Sequence, residues 1–321
     1  TMVGRIVGRH PDIFTFHEIH FFEQLWRPSL TPDPWSPPRA TQVLERLLHH
    51  QRDGYFARPR PGVHRAEAQE ILRGLDEPYL PSRVYNRFLE HESRLHAKTI
   101  PCDHTPRNLF YLDEIMDAFP GAKVLNPIRD PRDVLLSQKR KWKRRSLGAT
   151  NIPAREALRA WANYHPITMS LFWRRGVEES MRHIADPRVK AFRYEDLVHD
   201  PASMVRGLCE FLEVPFHSGM LDVPSVGSSI DRDRGGSQGI TAKSVGRWRD
   251  GLGQGEVQVC EFVCHAQMAT WGYESSGPPS VPLSLLLMSL AWPLKTALSL
   301  AMNLGRFRQL PASIKRRLVG K

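Results

Sequence analysis

Residues Val124–Ser137 read VLNPIRDPRDVLLS, and the chain is best read outward from them. Val124 to Ile128 is a short apolar run that predicts a buried strand. Arg129 stands at its carboxyl end, followed by Asp130-Pro131-Arg132-Asp133 and a helical pattern carrying Val134, Leu135 and Leu136. Ser137 falls about two turns into that helix. In a parallel α/β sheet, ligands bind beyond the carboxyl ends of the strands. An Arg at a strand end supplies a planar fork of donors and a Ser on the next helix supplies a hydroxyl, so the two can grip one phosphate. The same residues also permit an internal pairing of Arg129 with Asp130 or Asp133.

Further strands are predicted at Ile13–Phe16, Ala97–Pro101 and Arg188–Arg193. Helical periodicity marks residues 1–9, 41–50, 66–72, 81–96, 108–118, 155–179, 204–212 and 256–270. Strands alternating with helices predict an α/β fold, a parallel sheet covered by helices. Residues 27–40 are Pro-rich and predict a surface loop. Residues 51–81 are rich in Arg and Pro and irregular enough to frame a substrate cleft.

The composition narrows the partners. The 321 residues suffice for a sizeable core, and 41% hydrophobic with 25% charged residues is ordinary. A formal net charge of +11 is not, and it favours anionic partners. No nucleic-acid recognition motif accompanies that charge, so nucleic acid is not expected. The four cysteines form no C-x-x-C pair, which leaves zinc ribbons and redox motifs without support. Cys260 and Cys264, four apart on a predicted helix, are expected as core thiols rather than metal ligands.

Five segments in order resemble the sulfotransferases that use 3'-phosphoadenosine 5'-phosphosulfate (PAPS), closest to the bacterial and glycan types. They are HPDIFTFHEIHFF (10–22), HTPRNLFYL (104–112), RDPRDVLLS (129–137), FRYEDLVHDP (192–201) and SVGRWRDGL (244–252). The resemblance runs from Thr1 to about Tyr273 and implies a P-loop NTPase-like parallel sheet flanked by helices, with PAPS as co-substrate and no metal. It implies that Arg129 and Ser137 bind the 3'-phosphate, that Tyr194 lies near the adenine, and that Lys243 or Arg247 reaches the nucleotide from a late covering loop. Glu18, in a segment similar to E-x-H-F-F, is implied as the base that deprotonates the acceptor, with His20 as the second candidate. Glu18 also has a bland reading, a surface carboxylate paired with Arg5 or Arg9. If the strand runs on, His20 shares the face of Glu18 and His17 takes the opposite one. His104 stands where relatives carry a Lys beside the sulfo group or acceptor, and Thr105 is the expected cap of the helix that follows. The family places a strand and a Gly/Ser/Thr-rich turn before the helix 1–9. Only Thr1 of that turn is present, so the 5'-phosphosulfate loop is expected to be incomplete and turnover to be poor.

Two stretches lie outside these motifs. Lys139–Arg145, KRKWKRR, gathers six cations around Trp142, which could meet an anionic acceptor or a phospholipid headgroup, or form a solvated helix end. Val281–Leu304 is strongly apolar, with Lys295 and Pro293 near its middle and a basic stretch beyond, Arg306 to Lys321. A central Lys costs roughly 2.5–3.5 kcal/mol in a spanning helix, so peripheral contact with an anionic membrane fits better than crossing, with a soluble dimer or packing helix as the other reading. The expected organisation is a sulfotransferase domain over 1–275 and an apolar, basic helical tail over 279–321. The expected location is the cytoplasm or the cytoplasmic face of a membrane. The acceptor is expected to be a hydroxyl or amine; the E-x-H-F-F resemblance tilts it towards a sugar hydroxyl, with lipids, small alcohols and tyrosine open. Two other classes fit less of the pattern: a P-loop kinase, whose G-x-x-x-x-G-K-[ST] loop is not found, and a non-catalytic membrane-associated protein that binds nucleotide or anionic lipid.

Overall fold

A computed structural model describes residues 2–26, 33–149, 152–224, 239–277 and 281–303. The chain divides into two compact units, Thr1–Lys123 with Leu212–Val223, and Val124–Phe211 with Pro224–Lys321.

The first unit holds helices α1 (Met2–Val7), α2 (Pro37–Arg52), α3 (Arg65–Arg73), α4 (Pro81–Leu95) and α5 (Leu112–Ala118), and strands β1 (Ile13–Thr15) and β2 (Ile100–Cys102). The strands pair in parallel, Ile13 with Ile100 and Thr15 with Cys102. α1 lies close on β1 because it faces the strand with glycines. A Cβ on Gly8 would sit 2.8 Å from Thr15 Oγ1, and one on Gly4 would sit 3.0 Å from His104. α2 starts earlier than its apolar period implied, because Pro37 and Pro38 occupy its first turn, where a missing N–H costs nothing. Ala40, Val43, Leu44, Leu47 and Leu48 then bury one face against Phe16, Ile19, Phe21 and Phe88. Phe21 stacks flat on Tyr85 at 3.9 Å. The helix expected over 108–118 begins instead as a 3₁₀ segment, Pro106–Tyr111, before α5.

The second unit holds β3 (Val124–Ile128), α6 (Pro131–Arg140), α7 (Ala154–Asn163), α8 (Pro166–Arg182), β4 (Val189–Arg193), α9 (Tyr194–His199), α10 (Pro201–Leu212), α11 (Trp248–Gly251), α12 (Gln254–Thr270) and α13 (Leu283–Met302). β3 and β4 pair in parallel from Val124–Val189 to Ile128–Arg193. The single helix expected over 155–179 is two, because Pro166 excludes helical geometry from the residue before it. Cys260 and Cys264 are fully buried with Ile128, Leu135, Val177 and Met268, as core thiols. Both described sheets are two-stranded and parallel, with helices packed on them, and the α/β class stands.

Candidate functional site

The expected base lies in the first unit, in the segment that leaves β1. Phe16 N–H still bonds Cys102 C=O at 3.0 Å, but the chain then abandons strand geometry, and His20 adopts a left-handed φ of 56°. Strand alternation therefore does not govern which way Glu18 and His20 point. What holds the turn is Thr105. Its hydroxyl oxygen accepts from Ile19 N–H at 3.0 Å and His20 N–H at 3.4 Å, and the hydroxyl donates to Asp103 at 2.7 Å. Thr105 does precede the 3₁₀ segment, yet its side chain makes no cap bond. The hydroxyl is spent on the Glu18 turn instead. Asp103 also accepts from Thr105 N–H, Tyr85 O–H and Asn108 Nδ2, at 2.9, 2.8 and 2.7 Å.

On this frame Glu18 is exposed and His20 is buried. His20 Nε2 lies 3.7 Å from the Glu18 carboxylate, and Nδ1 lies 3.5 Å from Glu23. Glu23 in turn takes two bonds from Arg107, at 2.6 and 2.8 Å. The imidazole thus bridges an exposed carboxylate and a buried one that a guanidinium already neutralises. His17 is exposed and ties its backbone to Gln51. His104 packs against α1 at Gly4, and burial pushes its pKa below the ordinary 6.5, only partly opposed by Glu18 and Asp103. Its burial disfavours the cationic form. Thr1 lies outside the described residues.

The expected nucleotide groups lie in the second unit. Asp130 caps α6, accepting from Arg132 N–H at 2.8 Å. Its carboxylate also pairs with the Arg132 guanidinium, which further meets Glu261 and stacks at 4.0 Å over Trp248. Arg132 is therefore consumed by structure. Arg129 is not. Its guanidinium lies 4.9 Å over the Tyr194 ring, one nitrogen donates to Ser244 C=O, and its buried Nε has no hydrogen-bond partner among the described residues. The contact with Asp133 is long, 3.9 Å. Asp133 is committed elsewhere, to Gly246 N–H at 2.7 Å and Trp248 N–H at 3.0 Å. That buried carboxylate hooks the segment 245–248 onto α6. Sequence reading missed this anchor, although Asp133 sits inside the R-D-P-R-D pattern.

Tyr194 opens α9 at the end of β4, and its hydroxyl meets Ser244 Oγ at 3.0 Å. The structure thus brings Arg129, Tyr194 and Ser244 together at the carboxyl ends of the adjacent strands β3 and β4. Ser137 is half-buried within α6, Lys243 is exposed, and Arg247 precedes α11. Glu195 is structural, accepting from Asp130 N–H at 3.0 Å and Tyr273 O–H at 2.7 Å. Trp142, on the 3₁₀ segment Lys141–Leu147, is exposed. A cavity of about 380 Å³ lies behind the Asp130 cap, bordered by Arg132, Arg193, Glu195, Trp248 and Tyr273. Arg129, Ser137, Tyr194, Lys243 and Arg247 do not line it.

Two groups in the first unit have donor sets that suit a divalent cation. His49 and His64 both hydrogen-bond the Asp53 carboxylate at 2.9 Å, and Arg52 already bridges Glu67 and Glu92 in the second group.

The model of the sulfotransferase family matches residues 1–218. An uncharacterized protein of Aquifex aeolicus (strain VF5) is 26% identical over 258 residues, 78% of this chain and 29% of that protein. The chain thus spans well under half the length of that relative. Among solved structures, the sulfotransferase domain of the Synechococcus PCC 7002 olefin synthase is 17% identical with a TM-score of 0.46, covering 81% of this chain and 88% of that one. The sulfotransferase domain from the curacin biosynthetic pathway is 18% identical with a TM-score of 0.47, covering 85% and 93%.

Proposed function

The chain belongs to the sulfotransferase family, and from that premise we propose that it transfers a sulfuryl group from PAPS to a hydroxyl or amine acceptor. The observation that carries the donor assignment is the state of Arg129. It is a half-buried guanidinium at a strand end, held over an aromatic ring, with a buried Nε–H that finds no hydrogen-bond partner among the described residues. Asp133, 3.9 Å away on α6, is taken up by two backbone amides. Such a cation suits a phosphate monoester dianion, and the 3'-phosphate separates this donor from ordinary adenine nucleotides. Ser137, Lys243 and Arg247 complete the grip in this reading, and Tyr194 lies beside the adenine.

Glu18 takes the proton from the acceptor, with His20 as the alternative base. The acceptor oxygen or nitrogen then forms a bond to sulfur as the bond between sulfur and the 5'-phosphate oxygen breaks, leaving adenosine 3',5'-bisphosphate. Backbone amides and cations stabilise the charge that grows on the leaving oxygen. The reading assigns no metal to this step. His104, whose burial disfavours the cation, lies on the acceptor side in this reading, with Trp142 as a second acceptor contact. The acceptor is a glycan or lipid, reached from the cytoplasm or the cytoplasmic face of a membrane, with peripheral contact through 281–304.

Calorimetric titration tests the donor site. Adenosine 3',5'-bisphosphate should bind at least about tenfold more tightly than 5'-AMP, since a charge-assisted bond contributes roughly 1.5–3 kcal/mol. Arg129→Ala should abolish that preference. Equal binding of both nucleotides by the unaltered protein would remove the assignment.

A further inference from the structure

α13 is built inside out. Its more exposed line carries Leu283, Leu287, Leu290 and Leu294, at 71%, 59%, 76% and 78% exposure, with Leu286 beside them. Spacings of three and four residues place these leucines on one stripe. Its less exposed line carries Leu285, Met288 and Met302 together with polar groups that are bonded to the second unit. Ser284 Oγ meets Gln258, Trp292 Nε1 donates to Thr168 at 2.9 Å, and Ser299 and Asn303 both bond Asn163, at 2.7 and 2.9 Å. Lys295 lies 3.6 Å over the Trp161 ring. In water a surface helix turns its leucines inward and its polar residues outward. The reverse arrangement requires that something apolar cover the leucines.

Those polar contacts run along the helix from Ser284 to Asn303. They hold it flat along α7, α8 and α12, which excludes crossing a bilayer in this conformation. The neighbours extend the exposed apolar surface. On α7, Leu158 and Trp161 are exposed. α7 packs on the 3₁₀ segment Lys141–Leu147, which exposes Trp142 together with Lys141, Lys143 and Arg145. Lys143 Nζ stands 5.4 Å from the Trp142 ring.

We propose that α13, α7 and the 3₁₀ segment form one docking face for the surface of an anionic phospholipid bilayer. The leucines enter the acyl boundary and the helix lies in the plane of the interface. The two tryptophans sit at headgroup depth, where their rings meet the apolar layer and their N–H groups the polar one. Lys141, Lys143 and Arg145 meet the phosphates. Charge decides between a bilayer and a second copy of the chain. A copy carrying the same +11 would set these cations against one another, whereas anionic lipid complements them. This face deepens the peripheral contact included above but does not depend on the donor chemistry, so it survives if sulfuryl transfer does not.

Sedimentation with vesicles tests it. The protein should pellet with phosphatidylcholine vesicles that contain phosphatidylglycerol and much less with phosphatidylcholine alone. Leu287→Glu with Leu290→Glu alters two exposed residues, so circular dichroism should show an unchanged fold. Their vesicle affinity should fall about tenfold or more, because two apolar insertions are lost and two anions added. Lys141→Gln with Lys143→Gln should remove the preference for phosphatidylglycerol. Trp142 and Trp161 emission should shift to the blue on vesicle binding. Unchanged vesicle binding in the leucine variant would overturn the proposal. So would a concentration-dependent dimer that this variant splits, from a protein that ignores vesicles. Nucleotide titration of the leucine variant should match the unaltered chain whatever the vesicle result.

Discussion

Thr105 shows how one hydroxyl can position a reacting group that it does not touch. It accepts from the amides of Ile19 and His20, the two residues that follow Glu18 in the turn, and donates a hydrogen bond to Asp103. Thr105→Val keeps the shape and removes that oxygen, stranding two amides and one carboxylate lone pair. The expected cost is about 1–3 kcal/mol in chemical denaturation, with a fall in turnover larger than any change in nucleotide affinity. Thr105→Ser should restore both. Glu18→Gln should abolish transfer and leave bisphosphate affinity within about twofold, read by calorimetry beside an assay of sulfuryl transfer. Retained turnover in that variant would move the role to His20. His50 supplies the pH dependence. Burial, then Arg46, lowers its pKa from 6.5 to about 4. Between those values the unfolded chain binds a proton that the folded chain refuses. The stability difference is therefore fully present above about pH 6.5 and is lost as the pH falls towards 4. Its size is roughly 3 kcal/mol by linkage. A melting series should show a shallower loss over that interval for His50→Gln than for the unaltered protein.

At the scale of elements, the predicted strand Val124–Ile128 is observed with the same bounds, and Arg129 follows it as expected. The strand is less buried than expected, since only Ile128 is buried and Pro127 is exposed, but its bounds were legible from the short apolar run and from the Asp-Pro that announces the helix after it. Less legible was the way α6 carries the segment 245–248. That contact joins residues more than a hundred apart through Asp133, and no local period signals it. Gly246 has φ 73°, which a side chain strains, and a Cβ there would meet the movable end of Arg249 at 2.6 Å. Gly246→Ala should cost about 1 kcal/mol, mostly through φ. Asp133→Ala should cost more, because it strands two amides and leaves Arg129 without the carboxylate 3.9 Å from it. Bisphosphate affinity should fall in Asp133→Ala even though Asp133 is no ligand, which distinguishes a positioning residue from a phosphate contact. α1 makes a parallel case. Gly4→Val would drive its side chain into His104 and Thr15, and a lowered melting temperature should report it.

Over the whole chain, a net charge of +11 predicts that bisphosphate binding weakens steeply with added salt, since exposed charges are screened within about 10 Å at 0.1 M. A titration series in rising salt reads this directly. A flat series would confine the attraction to Arg129 and its immediate neighbours. The amino-acid sequence alone determined the parallel α/β class, the strand-end Arg129, the core role of Cys260 and Cys264, and the family. Each depends on local periodicity or on short motifs, where neighbours in sequence are neighbours in space. Tertiary structure alone decided that Arg132 is consumed by Asp130 and Glu261 while Arg129 keeps a donor without a partner among the described residues. It also decided that Thr105 holds the Glu18 turn rather than a helix end, and that α13 turns its leucines outward. These are choices among competing partners for one side chain or one face. The partners lie scores of residues away, so the outcome depends on distances that only the folded chain contains.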